Sequence, residues 1–577
     1  MASFDLHKLV LRGELTKLRE ILAQKQAGQD INAYDQVGYT PLMYAVNNPE
    51  ANVNLVKLLL EQGADIHPES RAELACGANV MALALGGGSP EIVSLLLQHG
   101  GDIHYSRSSN YSALLHAVHS RDILRDSRLI NLLKLLIDQK VELNGISDYA
   151  ESGLRVLSRI GRFDAVKLLL DAGADASQLQ WTPLMRAIAM GSLADVESEV
   201  KAGAPLEETD WWQRTPWLLA IQTGDVAKAA FLREKGAFTG AKGRCDKPPL
   251  FYAIESNRMP MLRWLLEIGM GIEETDEFGS TPLMEAVENN SLEAVDELLK
   301  AGASLDREKF GQTALKLSQN REIILRLLAA GGNLGDLTYE SHRALLGMNP
   351  EGDMTWFETT AEDFRGSWTR RFGTSNPEQL HDKFYQDMIR SGISAFQAAS
   401  SFPDVTEDMH PVWCARRFGQ SLTFMPDGRI IQIAGEHEDS YDSDFCIYND
   451  IFVHHPNGTV DIFGYPEALF PPTDFHTATL LAGRYIWIIG SLGYHGTRLY
   501  GKTPVYRLDT TCMRMEKIET IGDCPGWIYR HKATVMSPHE IRISDGKIVA
   551  LSGNDEVHQE NQGIFILDTD QRKWFVR

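Results

Sequence analysis

The apolar residues of the first 345 positions have the spacing of short amphipathic helices that come in pairs. In one pair, a first apolar stretch begins at Pro41, and a second, Leu55–Leu60, is followed by Gly63. Apolar residues three and four positions apart share one helix face, and a following glycine supplies the left-handed conformation that ends a helix. The same ending recurs at 168–175 and 298–303. The pattern predicts a long series of helix pairs.

The pairs recur with a constant period. The tetrapeptide Thr182-Pro183-Leu184-Met185 has related copies that begin at 215, 248 and 281, at equal intervals. Threonine can cap a helix, and proline at the first helical position loses only an N–H that has no partner in any case. A regular period of about 33 residues predicts a solenoid built from one repeated unit.

About nine copies of this unit, from Thr40 to Thr313, resemble the ankyrin repeat. Residues 4–30 resemble its N-terminal capping helix pair. The intervals from Thr40 to Asn79 and from Ser112 to Ser152 are longer than the others, which predicts longer loops around the second and fourth copies. The resemblance implies a solenoid over residues 1–345 whose concave surface, made of inner helices and hairpin tips, binds other proteins.

From about Arg417 the apolar period changes to the alternation of β-strands. The sequence 424–435 is read as strand, tight turn, strand and glycine, and its ending recurs at 484–490 and at 546–553. The interval from Gly435 to Gly490 equals that from His476 to His531 and is close to the period of about 50 residues known for propeller blades. The pattern predicts sheets of similar design, one after another.

This second region resembles the kelch repeat of β-propellers, with about three blades over residues 415–577. The glycine doublet of the family is reduced to Ala434-Gly435, Ile489-Gly490 and Ser552-Gly553. Propellers usually have at least four blades. Either residues 350–415 supply an irregular fourth unit, or the stack stays open and a second copy covers its edges as a homodimer.

Residues 346–414, between these regions, combine Trp356, Phe357, Trp368 and Phe372 with a predicted helix over 377–399. We interpret them as an aromatic and helical connector. The expected fold class is therefore multidomain α+β, an α-helical ankyrin solenoid followed by an all-β, kelch-like partial propeller.

Charge and composition exclude several classes of protein. The 577 residues hold 78 acids against 56 bases, a formal net charge of −22. This balance argues against a nucleic-acid binder and against anchoring to an anionic membrane surface. No uncharged apolar run reaches the length that a membrane-spanning helix needs, and the six cysteines form no C-x-x-C pair. We expect reduced thiols and a cytoplasmic protein, with export by a signal-independent route left open.

The hairpin tip 210–214 is the strongest candidate for a partner contact, because exposed tryptophan with arginine is typical of interface hot spots. The alternative is that its tryptophans fold back onto the neighbouring hairpin. Other candidates lie on further tips and on inner-helix positions that face the groove. The predicted partner-contacting residues are Tyr39, Tyr44, Arg186, Trp211, Trp212, Arg214, Trp217, Tyr252, Glu277, Phe278 and Glu285.

Residues 251–300 hold 11 acids and 3 bases. Opposite potentials steer association, so this stretch predicts a partner with a basic surface. The alternative is an ordinary solvated face.

One motif, 496–503, matches the phosphate-binding pattern G-x-x-x-x-G-K-[ST]. The pattern works only where its lysine opens a helix, and here a β-like segment follows Thr503. An acidic loop, 436–444, resembles a cation site but lacks EF-hand spacing. His476 and His531 occupy equivalent blade positions, which favours a structural role over metal ligation. We predict no catalytic residue, no cofactor and no metal site.

Two classes of function remain. The first is a non-catalytic scaffold that binds a protein partner in the ankyrin groove, as an inhibitor or an immunity-type protein. The second is a propeller-borne enzyme or carbohydrate-binding module with the ankyrin array as its targeting domain. A cluster of His, Tyr and acidic side chains at the centre of the blades would favour the second class.

Overall fold

The computed structural model describes residues 2–23, 30–48, 52–75, 77–104, 110–119, 126–402, 404–405, 411–438, 445–553 and 555–577. The chain divides into two compact units, Met1–Ser318 and Gln319–Arg577. Helices make up the first unit, and all described strands lie in the second. This arrangement confirms the expected fold class.

The helices of the first unit follow one another in pairs. Their bounds are α1 (Ala2–Leu11), α2 (Leu15–Ala23), α3 (Pro41–Asn47), α4 (Val53–Glu61), α5 (Val80–Gly87), α6 (Pro90–Gln98), α7 (Ala113–Val118), α8 (Arg128–Asp138), α9 (Gly153–Arg159), α10 (Phe163–Asp171), α11 (Pro183–Met190), α12 (Leu193–Lys201), α13 (Pro216–Thr223), α14 (Val226–Glu234), α15 (Pro249–Glu255), α16 (Met259–Glu267), α17 (Pro282–Glu288), α18 (Leu292–Lys300) and α19 (Ala314–Leu317).

The first helix of each pair begins as its sequence dictates. The Thr182 hydroxyl accepts a hydrogen bond from the Met185 N–H at 3.2 Å, and Pro183 occupies the first turn of α11. Thr215 caps α13 in the same way, and Gly224 ends that helix in the left-handed region at φ 82°. The predicted caps and glycine stops are confirmed at these helices.

The array bends between α10 and α11. The interval from Ser152 to Thr182 is shorter than those between the later copies, and the segment between the two helices holds a short 3-10 helix, Ala176–Leu179. The end of α9 bypasses α11 and meets α13, where the Gln222 side chain donates to the Arg159 carbonyl at 2.7 Å. An added Cβ on Gly161 would lie 2.5 Å from the Ser256 hydroxyl oxygen, beyond the end of α15. The solenoid therefore has two arms.

Helices also open the second unit, with bounds α20 (Arg321–Ala329), α21 (Tyr339–Leu345), α22 (Ala361–Ser367), α23 (Lys383–Ser391) and α24 (Ala395–Ser401). The Arg343 guanidinium of α21 donates to the carbonyls of Asn349, Ile389 and Arg390. This anchor explains why α21 groups with the C-terminal unit, although the sequence places the end of the solenoid at 345.

The segment interpreted as a connector builds part of the β domain's core. Phe364, Phe384 and Trp413 form one buried cluster with Tyr448 and Phe452, which lie on a strand of the first sheet. Trp413 also donates from its indole nitrogen to Asp450 at 3.0 Å. The aromatic residues of 346–414 therefore cover one face of the first blade.

The described strands have these bounds: β1 (Glu378–Gln379), β2 (Ser421–Phe424), β3 (Ile430–His437), β4 (Cys446–His454), β5 (Val460–Gly464), β6 (Thr477–Leu481), β7 (Tyr485–Ile489), β8 (Val505–Asp509), β9 (Arg514–Lys517), β10 (Ile521–Gly522), β11 (Trp527–Tyr529), β12 (Lys532–Ser537), β13 (Glu540–Ser544), β14 (Lys547–Ser552), β15 (Asp555–Glu560), β16 (Phe565–Asp568) and β17 (Lys573–Val576).

These strands form four sheets arranged like the blades of a four-bladed propeller. Their orders are β1-β5-β4-β3-β2, β6-β7-β8-β9, β10-β17-β16-β13-β12 and β11-β14-β15. The expected count of about three blades is therefore wrong. The fourth sheet is built from residues 527–560, whereas 350–415 supplies only β1 at the edge of the first sheet.

The third sheet also corrects a register. Tyr485 begins the second strand of the second blade, and Glu540 follows it at the same interval that separates His476 from His531. The second strand of the third blade is therefore β13, which begins at Glu540. The apolar run and glycine at 546–553 predict this second strand instead, but β14 pairs with β11 and β15 in the fourth sheet. The glycine that follows β13 is Gly546, whose φ of 76° equals that of Gly490 after β7.

Successive blades pack through alternate residues of their second strands. Trp487 and Ile489 of β7 share a buried cluster with Ile541 and Ile543 of β13. The residues of β13 that alternate with Ile541 and Ile543 face away from the second blade. The blade interval makes Glu540, Arg542 and Ser544 of β13 the equivalents of Tyr485, Trp487 and Ile489 of β7, and these three half-buried polar residues lie on the face of β13 opposite Ile541 and Ile543. No helix in the described part of the chain is long and apolar enough to cross a membrane.

Candidate partner-binding groove

A groove of about 1370 Å³ opens in the first unit beside the bend. Its walls are the ends of the inner helices α9, α11, α13, α15 and α17, together with residues at the start of α8. Lining positions include Arg159, Ala189, Thr223, Glu255 and Glu288. The groove is wide enough for a peptide segment, because binding clefts for much smaller ligands measure about 300–1,000 Å³.

The lining positions share one register along the repeats. Four of them lie seven residues after the position that directly precedes their helix, which is the capping position where the helix has a cap. These four are Arg159, Ala189, Glu255 and Glu288. The predicted contact residues Arg186, Tyr252 and Glu285 lie only four residues after that position. Four and seven differ by about one helical turn, so the two sets of positions lie at different depths along the same helices, and the contact roles of Arg186 and Glu285 stay predictions.

The tryptophans of the tip 210–214 stack onto the protein itself. The rings of Trp211 and Trp212 lie 5.1 Å apart, and the Arg155 guanidinium lies 4.6 Å from the Trp211 ring. Trp212 lies between Arg159, at 5.1 Å, and Arg244, at 4.5 Å. Indole faces attract cations electrostatically. Both tryptophans therefore fold back onto the protein, as the alternative interpretation expects, but they contact the arginines of α9 and not the neighbouring hairpin. Trp212 nevertheless lines the groove.

Arg214, a predicted contact residue, belongs to a buried polar network. Its side chain is 1% exposed and forms an ion pair with Asp210 at 2.5 Å. It also donates to the Ser158 carbonyl at 2.8 Å and to the Ser158 hydroxyl at 2.7 Å, and it bonds the Gln222 side chain. These bonds join the tip of one repeat to the end of α9 across the bend.

Two more predicted contact residues are buried. Trp217 is 0% and Tyr252 is 1% exposed, because both pack between neighbouring helices of the array. The expectation that Trp217, Tyr252 and Arg214 lie at the surface is therefore wrong, because all three are interior residues. Other predicted residues are accessible: Arg186 on α11 and the tip residues Glu277 and Phe278 are exposed.

Tyr39 and Tyr44 are half-buried at the N-terminal end of the array. Their rings lie 4.9 Å apart, and the Tyr44 hydroxyl donates to Asp35 at 2.8 Å. Burial, and then this bond, raise the pKa of Tyr44. Neither residue lines the groove, so a partner role for them stays a prediction.

Arginines missed by the sequence analysis concentrate on one side of the groove. Arg162 binds Asp164 through two hydrogen bonds of 2.9 and 2.8 Å. Arg258 donates to the carbonyls of Gln222 and Gly161, at 3.3 and 3.4 Å. Burial lowers the pKa of Arg258, while Asp164 opposes this shift and Arg162 adds to it. The available signal was the shared register of Arg162 and Arg258, each of which lies ten residues after the position that precedes its inner helix.

Carboxylates occupy the opposite side. Lys247 forms an ion pair with Glu255, and Glu288 lies 3.5 Å from Lys309. Glu285 accepts from the Asn289 amide at 2.5 Å. Burial and the neighbouring Glu255 raise the pKa of Glu285 to about 8, so at neutral pH this carboxyl holds a proton. Several acids of 251–300 are therefore compensated within the fold, as they also are where Arg263 contacts both Glu293 and Glu297.

The two equivalent histidines of the propeller join neighbouring blades. The ring of His476 lies 2.8 Å from the Ser421 hydroxyl of β2, and the ring of His531 lies 2.8 Å from the Thr477 hydroxyl of β6. Burial lowers the pKa of each histidine to about 3. Both histidines are therefore neutral at physiological pH and bridge the blades.

The phosphate-binding pattern at 496–503 lies in a blade loop. Thr503 donates from its hydroxyl to the Gly526 carbonyl at 2.7 Å, and the chain then enters strand β8. Arg498, inside the pattern, pairs with Glu556. Without a helix after the lysine, the amides that would hold a phosphate are not aligned.

A cluster of Tyr, His and acidic residues does lie on the propeller. Arg498 and Tyr500 both bind Glu556, and Tyr529 contacts His558 at 2.9 Å. Burial and the neighbouring Asp474 raise the pKa of Glu436 to about 7. In the acidic loop 436–444, residues 439–444 lie outside the described residues. No group of three potential metal ligands occurs in the residues that the structure describes.

A family model described as ankyrin repeats (3 copies) matches residues 50–144 and 250–337. A comparison with curated proteins found no match to this chain. The N-terminal region is thus an ankyrin-repeat region, followed by an all-β domain arranged like a four-bladed propeller. The kelch resemblance of that domain is compatible with its fold and stays a prediction.

Proposed function

We propose that this protein is a non-catalytic interaction scaffold that binds a segment of a protein partner in the groove at the bend of its ankyrin region. Ankyrin repeats generally mediate protein–protein interaction. The observation that carries the proposal is the open groove of about 1370 Å³. Helix ends with charged side chains line it, and Trp212 adds an aromatic surface of the kind enriched at interfaces.

The proposal extends to inhibition, because a partner whose working surface enters the groove is blocked while it is bound. We place this action in the cytoplasm, since the five described cysteines are free thiols, which persist in a reducing compartment. The expected basic partner has less support, because Lys247, Lys309 and Arg263 already neutralise much of the acidic stretch.

The competing proposal of a propeller-borne enzyme or carbohydrate-binding module has one observation in its favour, the cluster around Glu556. That carboxylate is already bound by Arg498 and Tyr500. A group satisfied by its own fold has little capacity left for a substrate, so we do not propose a second function.

The test is capture of a partner by groove-blocked and control proteins. Ala189 lines the groove and is half-buried, so Ala189→Trp fills the space. Ala194→Trp places the same bulk on the exposed surface of helix α12 and is the matched control. Each protein is used as bait in an extract of the native cell, and recovered proteins are quantified by mass spectrometry.

We expect a partner that is recovered equally with the wild type and Ala194→Trp and at least tenfold less with Ala189→Trp. Circular dichroism confirms that both variants are folded. Equal recovery of every bound protein with Ala189→Trp would show that the groove is not the binding site.

A further inference from the structure

We propose that the segment held in the groove is acidic, and that its carboxylate side chains bind Arg258 and the Arg244–Trp212 pair. This inference rests on the proposed function and names the chemistry of the partner.

Positive charge exceeds negative charge on the arginine side of the groove. Arg162 and Arg258 both line it, and Asp164 is the carboxylate near them. Asp164 is already bound by two hydrogen bonds from Arg162. Arg258 forms no ion pair within the described residues and donates only to two carbonyls. One guanidinium charge is therefore left without a carboxylate.

The other charges on this side are balanced. Arg159 forms an ion pair with Glu151 at 2.5 Å, and Arg128 forms one with Asp126 at 2.7 Å. A guanidinium carries five N–H donors in a planar fork that matches a carboxylate. Two carbonyl contacts leave Arg258 with donors for a carboxylate that enters the groove.

A second cation without an ion pair among the described residues is Arg244. Its side chain is exposed, and its guanidinium lies 4.5 Å from the ring of Trp212, which lines the groove. An indole beneath an arginine holds the charge in place without neutralising it. The groove thus offers two arginines to an acidic segment, one at the end of α15 and one over the tryptophan.

The acidic side of the groove has no matching excess of negative charge. Lys247 neutralises Glu255, Lys309 lies close to Glu288, and Glu285 holds a proton at neutral pH. A basic segment would have to compete with these lysines, or displace that proton. An acidic segment meets Arg258 and Arg244 without such competition.

The test uses a defined probe, the amidated peptide acetyl-Ala-Glu-Ala-Glu-Ala, with the same peptide carrying glutamines as its uncharged control. Binding to the full-length protein is measured by isothermal titration calorimetry at 0.05 and 0.15 M salt. We expect binding of the glutamate peptide only. We also expect weaker binding at 0.15 M salt, because the screening length of exposed charges is only about 8 Å there.

Three variants locate the site. Arg258→Gln should weaken binding about tenfold, and Arg244→Gln should weaken it several-fold because that charge is more exposed. Arg263→Gln is the control, since Arg263 is exposed, paired with Glu293 and absent from the groove lining. Arg244 makes no described hydrogen bond from its side chain, so its removal tests the site even if Arg258→Gln disturbs the fold.

Equal affinity of all three variants, or failure of the glutamate peptide to bind, would overturn the inference. Binding of an arginine peptide in its place would show that the basic-partner expectation was right. These outcomes differ from failure of the proposed function. If Ala189→Trp still loses its partner, the groove remains the binding site and only the acidic chemistry is wrong.

Discussion

A side chain on a hairpin tip can serve a partner or its own fold, and its neighbours decide which. The sequence places Trp211 and Trp212 side by side on a tip of the array. In the structure Arg155 stacks on the first ring, and Arg159 and Arg244 stack on the second. Trp211 therefore fastens the tip to α9, whereas Trp212 presents a surface to the groove.

At the same scale we predict that Arg214→Met destabilises the first unit by roughly 3 kcal/mol or more, because it leaves the Asp210 carboxylate buried without its cation. Urea unfolding followed by circular dichroism measures the change. The matched substitution Arg186→Met, at an exposed position, should alter stability by no more than about 0.5 kcal/mol. Equal stability of the two variants would contradict this role for the buried ion pair.

The sequence predicts which residues begin the inner helices but not which of their side chains reach the groove. The caps at Thr182 and Thr215 follow from local chemistry and could be located. Whether the fourth or seventh position faces the groove depends on how closely the next repeat approaches. At Tyr252 the neighbouring repeats cover the side chain, while Glu255, less than one turn later, is left at the groove.

Among the elements, the blades show which structural features the repeat interval of the sequence predicts and which it does not. The blade interval correctly pairs His476 with His531 as blade-to-blade contacts. It also carries Tyr485 to Glu540 and so indicates β13, whereas the apolar run and glycine at 546–553 point to β14, which follows β13 directly. The strand pairing decides between these two signals, because β13 pairs with β16 in the third sheet and β14 pairs with β15 in the fourth.

The inter-blade histidines predict an acid-sensitive propeller. The pKa of His531 is about 3 in the folded protein and about 6.5 when unfolded, so the unfolded state binds more protons as the pH falls below 6.5. Between pH 7.5 and pH 5.5 this residue should cost the fold roughly 1.4 kcal/mol.

His531→Gln keeps a hydrogen-bonding group but does not titrate, so its stability should fall less over that pH range, as measured by urea midpoints. His381→Gln, at an exposed position, is the control and should follow the wild type. A pH dependence identical in all three proteins would exclude this contribution.

The bend shapes the first unit as a whole, and it was not foreseen. The repeats around it keep their own signatures, and only the short interval from Ser152 to Thr182 indicates a change. A regular repeat period in the sequence reflects contacts between successive repeats. It does not reveal a contact, such as that between α9 and α13, which skips the repeat between them. The groove and its arginines arise from that contact.

For the whole molecule we predict a monomer, because β15, an edge strand of the fourth sheet, carries the exposed charged residues Asp555 and Glu560, and charges on an edge strand oppose pairing with a second copy. Light scattering at micromolar concentration measures the mass. The double variant Asp555→Thr, Glu560→Thr removes these two charges from the edge and should self-associate. A stable dimer of the wild type would instead support the blade-edge homodimer expected from the sequence.

The hydrogen bonds from Arg214 to Ser158 also bear on how the array unfolds. Solenoids usually behave as one-dimensional chains in which each repeat interacts only with its neighbours, so the ends can fray independently. These bonds join residues 56 positions apart and bypass the inner helix α11. The two arms are thereby coupled, and we conclude that they lose structure cooperatively although the regular stack is interrupted between them.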